Sequence, residues 1–303
     1  MPRNVIVLFV HGINTDDPSY SLKFQDLIRK KLPKKLHQYL QFSEVYWADI
    51  LRPRQHQYLS KAKALSGMRD DDLRKFVVKG LGDAAAYQKT RKRENSAYYA
   101  IQNRVLDKLR DANTHHNADT PLVFVGHSLG CHILSSFAWD IKFLANVSDS
   151  EINSWAQDER EAVPLITELR AATPFFRLET FAGFVTLGTN MPLFTFTYGP
   201  ERVFPITKPR SEQLGIGPPF PGAKLPEALA AKARWVNIYS PKDLLGYPLK
   251  PLNPAYNQEK RLDDVAIRVE GGPLDYIGAH TRYWTNNRCA VETAKLLRDV
   301  IET

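Results

Sequence analysis

The sequence predicts an α/β fold, with a mostly parallel central sheet and helices on both of its faces. Short apolar, β-branched or aromatic runs recur along the 303 residues, and segments with helical spacing lie between them. The runs at 5–10 and 122–126 are hydrophobic almost without interruption, which is typical of strands covered on both faces. The hydrophobic content of 43% is enough for a sizeable core. Together these observations favour strands that alternate with covering helices.

The predicted elements follow in chain order. The strands lie at 5–10, 42–47, 122–126, 181–188, 234–240 and 265–271. Helical spacing is clearest from Leu22 to Leu40 and from Asn95 to Leu109. Residues 288–303 predict a closing amphipathic helix, whose apolar stripe includes Val291, Ala294, Leu297 and Val300 or Ile301.

Two segments exceed what a minimal sheet of this kind needs, so we expect a single domain over 1–303 that carries two insertions. The first, about 50–94, is basic and has helical spacing. The second, 189–233, is rich in Pro and Gly and therefore predicts no long helix. Its aromatic side chains are Phe194, Phe196, Tyr198 and Phe204. They favour either a lid or pocket wall over a site, or an excursion packed on the body.

The net charge of +8 belongs to one segment. Between Arg52 and Arg93, twelve Lys and Arg residues stand against four Asp, a local excess of eight. Apolar residues interleave these charges near helical spacing, which predicts amphipathic helices packed on the body with a solvated basic face. No zinc-finger, RNA-recognition or helix-turn-helix signature accompanies them, so we expect no specific nucleic-acid partner. A peripheral contact with an acidic surface stays open.

The first strand and the cysteines indicate a compartment. The apolar run before His11 is too short for a secretory or membrane-spanning segment and predicts a buried strand. Cys131 and Cys289 provide no disulfide framework. We therefore expect a cytoplasmic protein with reduced thiols.

The stretch LVFVGHSLGCH at 122–132 has the pattern of a nucleophile elbow, in which a strand turns sharply into a helix and presents a serine hydroxyl. Gly126 and Gly130 fit this interpretation, because the bend brings strand and helix too close together for a Cβ at either position. Ser128 is the predicted nucleophile. Since Gly-x-Ser-x-Gly also occurs in ordinary turns, the surroundings decide between the two interpretations.

A nucleophilic serine needs a base and an acid that orients the base, and on a sheet of this kind they follow the serine in the order acid, then histidine. His132 and His280 are the histidines that follow Ser128, and His132 lies on the helix that leads away behind the nucleophile. His280 is therefore the predicted base. Asp243 directly follows a predicted strand and is favoured as the acid over Asp275, which precedes the histidine by five residues.

An oxyanion hole needs two backbone N–H donors, one after the nucleophile and one after an earlier strand. Leu129 supplies the first position. The loop that begins at His11 supplies the second, and Gly12 allows its backbone to turn. Ile13 is the predicted donor, with Gly12 and Asn14 as alternatives. His11 itself is interpreted as a buried, hydrogen-bonded residue.

Five segments together resemble the α/β-hydrolase superfamily, especially its lipase- and esterase-like members: VHGIN at 10–14, GHSLG at 126–130, FVTLGTNMPLF at 184–194, IYSPKDLLGYPL at 238–249 and AHTRYW at 279–284. The resemblance spans residues 5–284. It implies Ser128 as nucleophile, Asp243 as acid, His280 as base, and backbone donors at Ile13 and Leu129. The two insertions depart from the common core of the superfamily and leave the substrate class open.

The predicted reaction is hydrolysis of a small-molecule carboxylic ester with an apolar acyl group, through an acyl-enzyme and without a metal or organic cofactor. A thioesterase or an amidase would use the same residues. An alternative of another class is a non-catalytic scaffold that binds an acidic partner through its basic segment. The sequence contains no Gly-rich phosphate loop, no Cys-x-x-Cys pair and no His-Glu-x-x-His helix. His115 and His116 are adjacent and would point apart, which argues against a metal role.

Overall fold

A six-stranded parallel sheet forms the centre of the protein. The computed structural model describes residues 2–68, 72–90, 93, 96–114, 116–157, 159–196, 199, 203–204, 214–215, 221–269 and 276–303. The strands of the sheet are β1 Val5–Val10, β2 Leu40–Val45, β3 Leu122–His127, β4 Phe181–Leu187, β7 Arg234–Tyr239 and β8 Leu262–Ala266. Two short strands, β5 Val203–Phe204 and β6 Leu214–Gly215, pair separately with each other.

Helices cover both faces of this sheet. They are α1 Leu22–Lys31, α2 Arg52–Ser66, α3 Asp72–Ala86, α4 Ala97–Asn113, α5 Leu129–Asn146, α6 Asp149–Ser154, α7 Val163–Ala171, α8 Met191–Thr195, α9 Glu227–Ala230, α10 Pro254–Gln258, α11 Tyr276–Thr281 and α12 Asn287–Glu302. α5 packs on β1 and β3 and contacts α4 and α7, whereas α12 lies across β1, β4 and β7 and contacts α1. The predicted fold class is confirmed.

The strand order in the sheet is β2-β1-β3-β4-β7-β8. Every neighbouring pair is parallel, with Ile6 opposite Leu122 and Leu122 opposite Phe181. The carboxyl ends of the strands therefore meet at one edge of the sheet, which is where open α/β sheets place their ligands.

Burial separates the central strands from the edge strands. Every residue of β1, β3 and β4 is buried, and for β1 and β3 the almost uninterrupted apolar runs predict this. The edge strands β2 and β8 are only partly buried. They also begin earlier than predicted, since β2 covers 40–45 rather than 42–47 and β8 covers 262–266 rather than 265–271. A half-covered strand mixes polar with apolar residues, so an apolar run does not mark its ends.

Pro33 divides the segment from Leu22 to Leu40, and the prediction of one continuous helix there is wrong. α1 ends at Lys31, and a 3-10 helix follows at Lys34–Tyr39. Leu32 lies between them in an extended conformation, with φ −103° and ψ 146°. A proline disfavours helical geometry in the residue before it and has no N–H to donate to the preceding turn.

The closing helix predicted over 288–303 is confirmed as α12. Its buried side chains include four of the predicted stripe, Ala294, Leu297, Val300 and Ile301. Val291 is only half-buried. Leu296 is buried in its place against β4, where a Cβ on Gly183 would lie 2.9 Å from the leucine Cδ2. The stripe is therefore rotated slightly from the predicted one, toward the close contact that Gly183 permits.

The two helices of the basic segment differ in how they meet the body. α3 buries Gly80 and Asp83. α2 lies wholly within the described residues and buries only Arg52. Gln55, Leu59 and Ala62 on the same side are partly buried, so α2 packs along one side only. A search of the helices in the described ranges finds none that is both long enough and apolar enough to cross a membrane.

Candidate active site

Ser128 lies at the turn between β3 and α5, with the strand ending at His127 and the helix beginning at Leu129. Its backbone has φ 53° and ψ −125°, a conformation that residues other than glycine rarely adopt. Holding such a residue there costs on the order of 1–3 kcal/mol. A nucleophile elbow holds its serine in such a strained turn so that the hydroxyl points out of the strand end.

Two glycines let the strand and the helix come this close together. A Cβ on Gly126 would lie 2.8 Å from the backbone nitrogen and Cα of Cys131. A Cβ on Gly130 would lie 2.3 Å from the carbonyl oxygen of Val10. Outside its own residue and its chain neighbours, a real Cβ essentially never comes within 3.0 Å of another heavy atom. Both glycines are therefore required by backbone packing around the turn.

Asp243 and His280 are hydrogen-bonded to each other. Asp243 lies in the turn after β7, where its N–H donates to the carbonyl oxygen of Ser240 at 2.9 Å. His280 lies in α11, and its Nδ1 is 3.0 and 2.9 Å from the two carboxylate oxygens of Asp243. Both side chains are almost completely buried. With Nδ1–H directed at the carboxylate, Nε2 is the ring nitrogen that is left for chemistry.

The Asp243 carboxylate has two further donors. The Leu245 N–H donates to Oδ1 and the Tyr283 hydroxyl donates to Oδ2, each at 2.9 Å. Tyr283 in turn accepts from the N–H of Ser240 at 2.9 Å. Burial by itself would raise the pKa of Asp243, but the bond to His280 and these two donors hold that pKa below its ordinary value. The sequence patterns do not single out Tyr283, whose only signal is its place in the AHTRYW segment.

The order of these residues along the chain decides the fold type. Ser128 follows β3, Asp243 follows β7, and His280 follows β8, on strands whose carboxyl ends share one edge. A serine at a strand-to-helix elbow, followed along the chain by its acid and then its histidine, is the arrangement of one fold. The chain has an α/β-hydrolase fold.

Solved structures that match this α/β-hydrolase fold are distant in sequence. One is a candidate hydrolase of the α/β superfamily from Xanthomonas campestris pv. campestris, with 12% identity and a TM-score of 0.40 over 97% of this chain and 99% of that chain. Another is an acetyl xylan esterase, with 8% identity and a TM-score of 0.38 over 99% of both chains. A third, from Thermus thermophilus, has 13% identity and a TM-score of 0.36 over 100% of this chain and 91% of that chain. No protein-family model and no curated protein matches the chain. Function must therefore be argued from the site itself.

The Ser128 hydroxyl and the free nitrogen of His280 are buried. Within the described residues, neither Ser128 Oγ nor His280 Nε2 has a hydrogen-bond partner. Ser128 is 1% exposed and His280 is 3% exposed. The structure thus joins the acid to the histidine but forms no hydrogen bond between the histidine and the serine. Such bonds are often long before a substrate binds and shorten in the complex.

His127, the last residue of β3, holds the backbone of His280 in α11 by a hydrogen bond. Its Nε2 lies 2.7 Å from the carbonyl oxygen of His280, and the two ring centroids are 4.9 Å apart. Burial, with a smaller effect of the nearby His280, lowers the pKa of His127 to about 3. The ring is therefore neutral at pH 7, and its one N–H is the donor to that carbonyl. This supporting contact was not predicted from the motif.

The loop after β1 lies against Ser128 and is held by His11. A Cβ on Gly12 would be 2.5 Å from the Ser128 Cβ and 3.1 Å from its Oγ. His11 Nδ1 donates to the Gly12 carbonyl oxygen at 2.8 Å, and Nε2 accepts from the Trp47 N–H at 3.1 Å. Burial lowers the pKa of His11 to about 3, which keeps the ring neutral and suits one donor and one acceptor. The expectation of a buried, hydrogen-bonded His11 is confirmed.

The backbone amides of this loop are not equivalent. The Asn14 N–H donates to Asp83 Oδ2 at 3.4 Å. The N–H groups of Gly12, Ile13 and Leu129 donate to no acceptor in the described part of the chain. Asn14 is therefore engaged away from the serine, whereas the predicted donors Ile13 and Leu129, and the alternative Gly12, keep a free N–H.

Ion pairs tie the basic segment to the same loop. Arg52 donates through Nε to Asp16 Oδ1 at 2.7 Å and through Nη1 to Asp83 Oδ1 at 3.0 Å. Lys79 Nζ lies 2.7 Å from Asp16 Oδ2. The Arg52 side chain is 9% exposed and that of Asp83 is fully buried. We call Asp16, Arg52, Lys79 and Asp83 the loop brace, because together they hold α2 and α3 to the residues that follow Ile13.

The remaining candidates stand apart from this site or outside the description. His132 stacks on Phe194 of α8, with ring centroids 4.0 Å apart. Cys131 is buried, which raises its thiol pKa to about 12 and keeps it protonated. Asp275 and His115 lie outside the described residues. Across the ranges that are described, no group of three or more His, Cys, Asp or Glu is arranged to hold a metal ion.

The Pro- and Gly-rich insertion is described only in part. Phe194 is partly buried against the core, and Phe196 is 75% exposed. Tyr198 and the side chain of Phe204 lie outside the described part of the chain. A covering role for 189–233 therefore stays a prediction.

Proposed function

We propose that this protein is a serine-dependent hydrolase that cleaves carboxylic esters through an acyl-enzyme. One observation carries the proposal: Ser128 is held at φ 53° in a strand-to-helix turn, on the same sheet edge as a buried, hydrogen-bonded Asp243–His280 pair. A serine in an ordinary turn would either relax or be replaced by glycine, which adopts this backbone without strain. Strain at one residue beside an acid–histidine pair is what an activated nucleophile requires.

The proposed roles follow from which atoms are bonded and which are left free. Ser128 Oγ attacks the ester carbonyl carbon, and His280 Nε2 accepts the hydroxyl proton and returns it to the leaving alcohol. Asp243 keeps Nδ1 protonated and stabilises the imidazolium that forms. A water molecule then attacks the acyl-enzyme with the same proton transfers and releases the acid. Tyr283 keeps the Asp243 carboxylate oriented and ionised.

The Leu129 and Ile13 amides are the proposed oxyanion donors. Leu129 begins α5, so the positive end of that helix also faces the developing negative charge. Each donor of this kind is worth about 3 kcal/mol of transition-state stabilisation. Gly12 is the alternative to Ile13, since its N–H is also free.

The proposed substrate is a small-molecule ester whose acyl group is apolar. We assign the acyl pocket to the 189–233 insertion of a single domain over 1–303, which follows β4 and whose described part includes the exposed Phe196 and the partly buried Phe194. Long-chain p-nitrophenyl esters are then expected to be hydrolysed faster than the acetate.

Covalent labelling tests the proposal directly. A small fluorophosphonate is incubated with the folded protein, and the adduct is detected by intact mass for wild type, Ser128→Ala and His280→Ala. Ser135→Ala is the matched control, because Ser135 is a buried serine of α5 outside the turn. We expect one adduct on wild type and on the control, none on Ser128→Ala, and much slower labelling of His280→Ala. Folded wild-type protein that accepts no adduct would overturn the proposal.

A substrate panel separates the ester reaction from its relatives. Ester, thioester and amide forms of one acyl group are compared at equal concentration after labelling has established the nucleophile. A thioesterase or an amidase would use the same side chains, so a strong preference for either of those substrates would revise the bond that is cleaved and leave the roles of Ser128, Asp243 and His280 in place.

A further inference from the structure

α2 is a 15-residue helix that contacts α3 along one side and is exposed over the rest of its surface. Arg52, at its first position, is its one fully buried residue, and Gln55 on the same side donates to Asp83 Oδ1 at 2.8 Å. Gly67 ends the helix with φ 59°, and its N–H donates to the carbonyl oxygen of Lys63 at 3.1 Å. Most helical stability in proteins comes from packing an apolar face. The exposed side of α2 therefore has a surface available to a partner.

The face of α2 that points away from the body combines basic and apolar side chains. Arg54, Tyr58, Lys61 and Leu65 follow one another at spacings of four, three and four residues, so they form one stripe along the helix. The buried Arg52 lies on the opposite side. Tyr58 is 59% exposed and Leu65 is 84% exposed. Arg54 and Lys61 are exposed as well.

α3 and the connection before it also expose apolar side chains. Val77 is 42% and Leu81 is 67% exposed, one helical turn apart, and Met68 is 39% exposed. Of the ten large apolar side chains that are exposed in the described part of the chain, five fall between Tyr58 and Leu81. Single exposed apolar residues are normal on a protein surface, but such a concentration in one segment marks an interaction site.

The charge of the segment identifies its partner. Residues 52–86 carry eight Lys and Arg against four Asp, a local excess of four positive charges. A second copy of the protein would bring the same positive excess to the contact and be repelled. A nucleic acid would bind the basic side chains, but it offers no apolar environment for the aliphatic side chains of Leu65, Val77 and Leu81. An anionic surface that is also partly apolar, such as that of a bilayer with acidic headgroups, satisfies both kinds of side chain.

We propose that the helices α2 and α3 dock on an anionic phospholipid surface. Tyr58, Leu65 and Leu81 enter the interface, while Arg54 and Lys61 reach the lipid phosphates with their long side chains. This mode needs no membrane-spanning helix, since interfacial helices lie in the plane of the headgroups. It also does not depend on the proposed hydrolase activity, because it uses none of the side chains at the Ser128 site.

Vesicle co-sedimentation of the full chain tests the docking. Phosphatidylcholine vesicles with and without phosphatidylglycerol are compared at low and high salt. We expect binding only where phosphatidylglycerol is present, and release at high salt, because exposed charges are screened. Removing one positive charge, by Arg54→Gln or by Lys61→Gln, is expected to weaken binding about fivefold. The double variant is then expected to bind about 25-fold more weakly. Tyr58→Ser with Leu65→Ser removes the apolar anchors and is expected to abolish sedimentation.

The matched control alters an apolar and basic pair on another helix. Leu22→Ser with Lys23→Gln changes α1, where Leu22 is 51% exposed and Lys23 is exposed. Its binding is expected to equal that of wild type. All the altered side chains are exposed, so the melting temperature is expected to stay the same in every variant.

Three results would overturn the proposal. The first is equal binding to neutral vesicles, because it would remove the role of charge. The second is the absence of vesicle binding together with DNA binding that the Arg54 and Lys61 changes weaken. The third is the absence of vesicle binding together with a dimer in sedimentation velocity that Leu65→Ser dissociates. Each assigns the exposed segment to a different partner.

Discussion

The contact between Gly12 and Ser128 makes the role of the loop after β1 measurable. In Gly12→Ala the new Cβ would start 2.5 Å from the Ser128 Cβ and 2.9 Å from the His127 carbonyl oxygen. Ordinary contacts of a Cβ begin at 3.4 Å, so the distance from the new Cβ to the Ser128 Cβ must grow from 2.5 to 3.4 Å. The loop therefore has to retreat by roughly 0.9 Å, the difference of 3.4 and 2.5 Å. Moving an oxyanion donor by about this distance is expected to slow the acyl-transfer step on the order of 100-fold.

The assay is the second-order rate of fluorophosphonate labelling, followed by intact mass, with hydrolysis of a p-nitrophenyl ester as a second readout. The melting temperature reports whether the variant is folded. Gly82→Ala in α3 is the matched control, because its Cβ would meet only the side-chain amide of Gln55, at 3.3 Å. Wild-type labelling of a folded Gly12→Ala protein would refute the reasoning, since the loop could then not be supplying a donor beside Ser128.

Three further predictions concern stability and the acid side of the site. Asp83→Leu removes the buried carboxylate from the Arg52 guanidinium and leaves it only the half-exposed Asp16, so urea titration should show the free energy of unfolding lowered by about 3 kcal/mol; an unchanged value would mean that this ion pair does not hold the segment. Tyr283→Phe removes one donor to Asp243, worth about 1 kcal/mol, and should slow labelling about fivefold; an equal rate would place Tyr283 outside the chemistry. His11 and His127 have a pKa of about 3 in the folded protein against 6.5 when unfolded, so the unfolded chain binds more protons between these values. The free energy of unfolding should therefore fall as the pH drops below 6.5, by about 1.4 kcal/mol per pH unit for each ring. A stability that stays constant below pH 6.5 would contradict this.

The central strands could be predicted from the sequence because complete burial leaves a plain signal. β1 and β3 are covered on both faces, so nearly every residue is apolar and the run ends where the strand ends. The exposed surface of α2 could not be predicted in this way. Helical spacing indicates that a helix forms, but whether other elements cover it depends on where the sheet and its helices come to lie. Its stripe of mixed side chains is visible only once Arg52 is known to point inward.

The positions of the proposed nucleophile, acid and base could be predicted for a different reason. The elbow motif indicates Ser128, the chain order leaves His280 by elimination, and the place directly after a strand favours Asp243 over Asp275. Their supporting contacts could not be predicted. Tyr283 and His127 act through hydrogen bonds across elements far apart in the chain, and no local pattern specifies such contacts. Asp275, the alternative acid, lies outside the described residues.

The loop brace couples the local unfolding of the loop after β1 to that of α2 and α3. Asp16 belongs to the loop after β1, Arg52 begins α2, and Lys79 and Asp83 lie in the second half of α3. Losing one of these ion pairs leaves charges from other elements without partners, so the segments should separate together and not one after another. Amide hydrogens at 12–17 and in α3 should then exchange with a single opening free energy, below that of the central sheet. The loop after β1, including the proposed oxyanion donor, would lose its shape in the same local unfolding event that frees the basic helices, while the strands beneath it stay closed.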